Sequence, residues 1–212
     1  QEMFNEELSR HQGQNPYTDE DYFAYVDGKP RYNGVRDFFA SRGITLPEGD
    51  PSDGPAAQTI CGLGNRKNDL FNTVLARDGI QPYPGSRRWV DRLHESGMAM
   101  AVVSSSRNAA AVLKAAGMVE DFSVLVDGNR SKTERLPGKP APDTYLRGAE
   151  LLGVPAEQCV VVEDAVSGVR AGAAGGFGMV LGVNRGVGAD RLREAGADRV
   201  VDDLDEMVEE MA

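Results

Sequence analysis

The sequence predicts an α/β protein in which a doubly wound parallel sheet follows a separate α-helical region. After about residue 82, five apolar segments without alternation are separated by segments with helical spacing. This order is typical of parallel strands that are covered by helices on both faces. Before that point, the apolar residues recur only at helical spacing and no clear strand is seen. We therefore expect a helical domain in residues 1–81 and an α/β core in residues 82–212.

The first domain contains four segments with helical spacing: MFNEEL, DYFAYV, VRDFFASRGI and NDLFNTVLARDGI. Thr18, three residues before Asp21, is a typical helix start, and Gly43 is a typical helix stop. Residues 45–58 are rich in Pro, Gly and Asp, so we predict a loop there.

The α/β core contains five candidate strands, and candidate helices lie between and around them. The predicted strands are residues 98–105, 122–126, 159–163, 178–183 and 198–201. The predicted helices are residues 86–96, 107–116, 142–152, 167–175, 188–195 and 204–211.

Composition limits the classes of partner. The 212 residues include 23 basic and 33 acidic side chains, a net charge of −10, which repels nucleic acid and anionic lipid. No apolar segment approaches the ~18 residues of a membrane span, and the start lacks a signal-peptide pattern, so we expect a cytoplasmic protein. Cys61 and Cys159 are far apart and predict neither a disulfide nor a zinc site. The oligomeric state stays open, with a monomer favoured.

Ligands of such sheets bind beyond the carboxyl ends of the strands, so the residues after each strand matter most. The first predicted strand leads into Ser104–Asn108, which opens a helix whose free N–H groups could bind a phosphate. The alternative is that Ser106 only caps this helix.

Two adjacent carboxylates, Glu163 and Asp164, end the third predicted strand. Carboxylate pairs suit Mg²⁺, which takes oxygen ligands and keeps several waters. The alternative is a solvated acid beside a helix N-terminus.

Lys139 lies in the segment LPGKPAPD, where the following proline disfavours helical geometry and stiffens the chain. Taken singly, this lysine could be an ordinary loop charge. Together, the hydroxyl cluster, the fixed ammonium and the carboxylate pair predict a phosphoryl-transfer pocket.

The order S-S-S, then G-K-P-A-P-D, then V-V-E-D-A-x-x-G-V-x-A-G resembles the haloacid dehalogenase-like phosphotransferases and phosphatases, in their β-phosphoglucomutase-like branch. The resemblance covers essentially the whole chain and implies a Rossmann-like core with a helical cap. It implies that Ser104 binds the transferring phosphoryl group and that Lys139 neutralises charge on the nucleophile and on this group. It also implies that Asp164 and Glu163 hold Mg²⁺.

The same resemblance implies a sugar phosphate as substrate. Its second phosphate would be bound by the turn that contains Ser105, Ser106, Arg107 and Asn108. Residues 61–68 resemble the specificity loop that closes over the sugar, where Arg66 is the candidate contact.

The family's nucleophile lies in a D-x-D-G motif, which does not occur in residues 1–212. Asp27-Gly28 cannot replace it, because Ala24 and Tyr25 stand where a partner Asp is needed. By analogy, the absent strand lies between those ending at Ser104 and Glu163. Without it, unpaired N–H and C=O groups would each cost ~1–3 kcal/mol when buried. We expect an upstream segment to supply the strand and the nucleophile, and residues 1–212 alone to be inactive.

The expected activity is a magnesium-dependent phosphoryl transfer through an aspartyl-phosphate, most similar to that of a β-phosphoglucomutase. A sugar-phosphate phosphatase is one alternative, and a phosphate-binding protein without catalysis is another. A Ser/His/Asp hydrolase is not supported, because no G-x-S-x-G motif occurs. The glycines of residues 172–178 follow a helix and precede a strand, the reverse of a dinucleotide-binding loop.

Overall fold

The computed structural model describes residues 1–210 and divides the chain into two units, Gln1–Gly79 and Ile80–Ala212. Among the described residues, no helix combines the length and the apolar character that crossing a bilayer requires.

The first unit is helical. Its elements are α1 (Glu2–Leu8), α2 (Asp19–Asp21) continued by a π-helical turn (Tyr22–Val26), α3 (Arg31–Ser41) and α4 (Ile60–Asp78). The predicted helix start at Thr18 is confirmed, since Thr18 and Asp21 form a reciprocal capping box. The predicted loop of residues 45–58 is also confirmed, because this segment contains neither helix nor strand.

Aromatic packing forms the core of the first unit. Phe38 and Phe39 are fully buried on α3, and Phe4 of α1 meets Phe38 edge-on with ring centroids 4.8 Å apart. Tyr17 stacks on Phe4 at 4.5 Å. Such pairs add ~0.5–1.5 kcal/mol each beyond burial, so α1 and α3 are held by specific contacts as well as by apolar area.

The second unit contains five parallel strands and seven helices among the described residues. The strands are β1 (Ala101–Val103), β2 (Val124–Val126), β3 (Val160–Glu163), β4 (Met179–Val183) and β5 (Arg199–Val201). The helices are α5 (Pro84–Glu95), α6 (Ala109–Ala115), α7 (Gly128–Glu134), α8 (Asp143–Leu152), α9 (Val166–Ala174), α10 (Ala189–Glu194) and α11 (Asp205–Glu210). Two short 3-10 turns lie at Val119–Asp121 and Ala156–Gln158.

The strands form two parallel sheets, β1-β2 and β3-β4-β5. Ala101 of β1 pairs with Val124, and Val161 of β3 pairs with Val180. The α/β class with parallel strands is confirmed, and α8, α9 and α10 pack against the strands. Among the described residues β1 and β3 share no partner strand, and the expectation of a further strand between them stays a prediction.

Candidate functional site

A buried ion pair lies at the carboxyl ends of β1 and β3. The ammonium of Lys139, in the segment before α8, lies 2.6 Å from Oε2 of Glu163. It also lies 3.4 Å from the carbonyl oxygen of Val103, the last residue of β1. Only 5% of the Lys139 side chain and 10% of the Glu163 side chain are exposed. One ammonium therefore bridges the ends of two strands that belong to different sheets.

Both oxygens of the Glu163 carboxylate are held. The Tyr145 hydroxyl donates a hydrogen bond to Oε2, while Oε1 accepts hydrogen bonds from the backbone N–H of Ala165 at 3.0 Å and of Asp164 at 3.3 Å. Gly168 leaves room for the group, because a Cβ there would lie 2.2 Å from the carboxyl carbon. The carboxylate is thus fixed in position and orientation.

Electrostatics keep this carboxylate charged. Burial raises the pKa of Glu163. The charge of Lys139 and the hydrogen bonds from Lys139, Tyr145 and Ala165 together lower the pKa by more than burial raises it, so the pKa lies below the usual 4.5. Burial and the neighbouring Glu163 charge raise the pKa of Tyr145 well above 10. At neutral pH, Glu163 is therefore an acceptor and Tyr145 a donor.

The serine turn, residues 104–108 after β1, is stabilised by hydrogen bonds to its own side chains. The backbone N–H of Ser104 bonds to the Val126 carbonyl at 2.9 Å, and its hydroxyl oxygen accepts from the N–H of Ser106 at 3.2 Å. The Ser106 hydroxyl oxygen accepts from the N–H of Asn108 at 3.1 Å. A hydroxyl that accepts a hydrogen bond still carries a proton to donate. Ser104 and Ser106 therefore keep a donor for an anion.

The helix after this turn begins later than predicted, at Ala109 instead of residue 107. Ser106 does not occupy the cap position, which belongs to Asn108 without a side-chain cap bond. Arg107 and Asn108 therefore lie in the turn itself, together with Ser105.

The start of α7 contacts the serine turn, and this helix was not predicted from the sequence. The amide nitrogen of Asn129 donates to the carbonyl of Arg107 at 3.0 Å and to the carboxylate of Asp127 at 2.9 Å. A Cβ at Gly128 would lie 2.7 Å from the carbonyl oxygen of Ser105, so the turn and the helix are in close contact. An Asp directly after an apolar strand is a helix-start signal that could have revealed this element.

Asp164 is exposed and follows Glu163 directly. The two carboxylates supply the oxygen donors that Mg²⁺ takes, and a two-carboxylate set suits an ion that keeps several waters. Within residues 1–210, no group of three or more His, Cys, Asp or Glu side chains could hold a metal ion. Both oxygens of Glu163 accept hydrogen bonds, and the binding of a cation by Asp164 and Glu163 stays a prediction.

Arg66 lies in the first unit, on α4. The prediction that residues 61–68 form a loop is wrong, because α4 begins at Ile60 and includes all of them. The reason is local: the Thr59 hydroxyl caps this helix by accepting from the N–H of Gly62 at 2.9 Å. Arg66 Nη1 lies 3.2 Å from a carboxylate oxygen of Glu6, while its Nε and Nη2 are buried without a hydrogen-bond partner among the described residues.

Two cations of the first unit, Arg31 on α3 and Lys67 on α4, were not predicted from the sequence. Arg31 donates to the side-chain oxygens of Asn68 at 2.5 Å and Asn65 at 3.3 Å. Burial and the charge of Arg31 lower the pKa of Lys67. The charge of Asp27 acts on the pKa of Lys67 in the opposite direction, so Lys67 lies near charges of both signs.

Comparison with known proteins gives a consistent result. The family model described as haloacid dehalogenase-like hydrolase matches residues 2–176. The chain is similar to a β-phosphoglucomutase of Mycobacterium bovis, with 49% identity over 191 residues that cover 89% of this chain and 73% of the relative. It is also similar to hexitol phosphatase A of Escherichia coli, with 33% identity over 190 residues that cover 89% and 77% of the two chains.

Among solved structures, a β-phosphoglucomutase of Clostridium difficile superimposes with a TM-score of 0.76 at 19% identity, covering 99% of this chain and 87% of the other. At this identity the match shows the fold. Together with the family match and the 49% identical relative, it shows that this chain belongs to the haloacid dehalogenase-like hydrolases, in their β-phosphoglucomutase-like branch.

Proposed function

We propose that this protein transfers a phosphoryl group of a sugar phosphate and that its main activity is that of a β-phosphoglucomutase. The observation that carries the proposal is the buried Lys139–Glu163 pair, which lies at two strand ends next to the Ser104 turn. A buried cation beside hydroxyl donors is suited to a phosphoryl group, whose oxygens carry negative charge during transfer. The 49% identity to a β-phosphoglucomutase supports the choice of reaction.

In the proposed mechanism, Lys139 neutralises negative charge on the transferring group, and the Ser104 hydroxyl donates a hydrogen bond to one of its oxygens. The fixed Glu163 carboxylate keeps the ammonium at the end of β1 instead of in solvent. A Mg²⁺ ion held by Asp164, with Glu163 beside it, would stabilise the remaining negative charge.

The attacking group in this proposal is an aspartate, whose carboxylate forms a bond to phosphorus while the bond between phosphorus and the sugar oxygen breaks, which gives an aspartyl-phosphate and a sugar hydroxyl. The aspartate is freed again when the phosphoryl group passes to another hydroxyl of the sugar in a mutase, or to water in a phosphatase. The family resemblance expects it in a D-x-D-G segment on a strand between β1 and β3. Residues 1–212 contain no such motif, and none of them is assigned this role.

The Ser106, Arg107 and Asn108 turn favours a mutase over a phosphatase in this proposal. A mutase of this kind must hold a second phosphate while the first is transferred, and a basic residue flanked by hydroxyl and amide groups suits that task. Asn129 donates a hydrogen bond to the Arg107 carbonyl and so restrains this turn.

The decisive assay follows phosphorus NMR signals while the complete product of the gene that encodes residues 1–212 acts on β-glucose 1-phosphate with Mg²⁺. Formation of a 6-phosphate supports the mutase. Inorganic phosphate as the only product contradicts it and supports the second candidate, a sugar-phosphate phosphatase, which the 33% identity to hexitol phosphatase A favours. Tight binding of the sugar phosphate without any turnover would instead support a phosphate-binding protein without catalysis.

Two substitutions connect that assay with the site. Lys139→Ala and Asp164→Ala should each abolish turnover. Arg77→Ala is a matched control, because Arg77 is an exposed basic residue of the first unit that pairs only with the neighbouring Asp78 in the described contacts, and it should leave turnover unchanged.

A further inference from the structure

Tyr145 touches both members of the buried ion pair. Its hydroxyl donates to Oε2 of Glu163, and the Lys139 ammonium lies 4.5 Å from the centroid of its ring. The residue is 7% exposed, and Phe177 packs edge-on against its ring with centroids 6.0 Å apart. One rigid side chain on α8 thus contacts the carboxylate with its polar end and the ammonium with its face.

These contacts fix the direction of the Lys139 ammonium, which the ion pair alone would leave undefined. A lysine ammonium is a compact charge on a flexible four-carbon stem, and a single carboxylate oxygen defines its distance but not its direction. The face of an aromatic ring attracts a cation and constrains it from a second direction. The hydroxyl, in turn, holds the same oxygen that Lys139 contacts, so movement of Glu163 and movement of Lys139 are both restricted.

A residue that only filled the core would not require the hydroxyl. Phenylalanine has nearly the same shape, and burying a hydroxyl is unfavourable unless it is hydrogen-bonded. Here the hydroxyl meets the carboxylate that pairs with Lys139.

We propose that Tyr145 is a positioning residue of this site, which holds Glu163 through its hydroxyl and Lys139 through its ring so that the ammonium faces the transferring phosphoryl group. The identity of that group rests on the proposed function, whereas the positioning contacts do not.

The kinetic test uses the complete product of the gene that encodes residues 1–212 and compares Tyr145→Phe, which removes only the hydroxyl, with Tyr145→Leu, which removes hydroxyl and ring. Tyr145→Phe should lower kcat about tenfold, the loss of about 1.4 kcal/mol, and change KM by less than about twofold. Tyr145→Leu should lower kcat further. The matched control is Tyr83→Phe, an exposed tyrosine whose ring lies 3.6 Å from the Arg185 guanidinium, and it should behave as wild type.

Each alternative outcome overturns a part of the proposal. A wild-type kcat in Tyr145→Phe excludes the role of the hydroxyl, and equal rates in Tyr145→Phe and Tyr145→Leu exclude the role of the ring. A raised KM with unchanged kcat would assign the residue to substrate binding instead.

A second measurement needs neither substrate nor metal. Tyr145→Phe and Glu163→Gln are combined in a double-mutant cycle, and urea unfolding is followed through the fluorescence of Trp89, the single tryptophan. We expect the two changes to be coupled by about fivefold or more in the unfolding constant. Additive effects would overturn the proposal. If the wild-type protein transfers no phosphoryl group, the proposed function fails, while this cycle still decides whether Tyr145 holds Glu163.

Discussion

Replacing Lys139 by methionine should destabilise the second unit, because it leaves the Glu163 carboxylate buried without its cation. Breaking one partner of a buried pair typically costs ~3–5 kcal/mol. The Nζ to Oε2 distance of 2.6 Å and the low exposure of both side chains place this pair in that class. Tyr145 and the N–H of Ala165 still donate to the carboxylate, so we expect a loss at the lower end, ~3 kcal/mol.

The assay is urea unfolding followed through Trp89 on α5, without Mg²⁺. The control is the double substitution Lys139→Met with Glu163→Gln, which removes the charge that was left unpaired. It should recover at least about half of the lost free energy of unfolding. A loss below ~1 kcal/mol for Lys139→Met, the value of an exposed pair, would refute the reasoning.

The pH dependence gives a second check with a definite sign. In the wild type the pKa of Glu163 lies below 4.5 in the folded state, so its contribution to stability is present above that pH and is lost as the pH falls through the folded pKa. Without Lys139, burial is the largest remaining influence and raises the folded pKa. Protonation of Glu163 then removes the unpaired buried charge of the Lys139→Met protein. The difference in free energy of unfolding between this variant and the wild type should therefore shrink as the pH falls toward about 4.5. A loss of unfolding free energy in Lys139→Met that does not change with pH would contradict the conclusion that the unpaired charge of Glu163 causes it.

Three further substitutions test the surroundings of the site and the first unit. Gly168→Ala should cost ~1–3 kcal/mol and lower kcat, because its Cβ would lie 2.2 Å from the carboxyl carbon of Glu163; urea unfolding and steady-state kinetics measure both. Asn129→Ala removes the hydrogen bond to the Arg107 carbonyl and should cost ~1 kcal/mol and raise KM for the sugar phosphate. Thr59→Ala removes the cap of α4 and should cost the first unit ~1 kcal/mol in a circular dichroism melt.

Each of these has a control on the same chain. Gly54→Ala adds a Cβ with no atom within 4 Å, and it should be nearly neutral. Thr133→Ala and Thr73→Ala remove exposed hydroxyls from α7 and α4, and each should stay within ~0.5 kcal/mol of wild type. If a site variant behaves like its control, the contact assigned to it does not contribute.

The α/β class and the order of the five strands were predictable, because parallel strands read as apolar runs and their helices have a separate period. The strand lengths were not. Residues 98–105 predicted a strand of eight residues, yet β1 spans only Ala101–Val103, the residues in register with β2. The physical reason is that β2 contains three residues that pair with β1. The length of a strand depends on this pairing and not on the length of the apolar segment.

Helix α7 was missed because its sequence, GNRSKTE, has no apolar period. The Asp127 side chain stabilises it by accepting from the N–H groups of Asn129 at 3.0 Å and Arg130 at 2.8 Å. The early start of α4 was missed for a different reason, since the glycines of CGLG disfavour a helix. These glycines allow close packing instead: a Cβ at Gly64 would lie 2.6 Å from a ring carbon of Tyr32.

At the site, the sequence predicted which residue types follow each strand but not how they pair. Glu163 was assigned to a metal together with Asp164, and Lys139 to a phosphoryl group. The structure brings Glu163 and Lys139 into direct contact. No spacing rule could show this, because the two residues are 24 positions apart and come together only through the tertiary fold. Tyr145 was missed for a different reason, because a single aromatic residue on a helix is usually a core residue.

Stability alone does not explain why two charges are buried at this place. An apolar pair of similar volume is often as stable as a buried ion pair or more so, because removing two ions from water costs several kcal/mol for each. Replacing Lys139, Glu163 and Tyr145 together by methionine, leucine and phenylalanine removes both charges and the hydroxyl that would otherwise lose its acceptor. This triple variant should leave the free energy of unfolding within ~1–2 kcal/mol of wild type or raise it, while abolishing turnover. A triple variant that is far less stable would mean that the charges serve the fold. The expected result would mean that the two buried charges do not stabilise the fold. Their desolvation is then tolerated because Glu163 and Tyr145 hold the Lys139 ammonium at the strand ends where a phosphoryl group is proposed to bind.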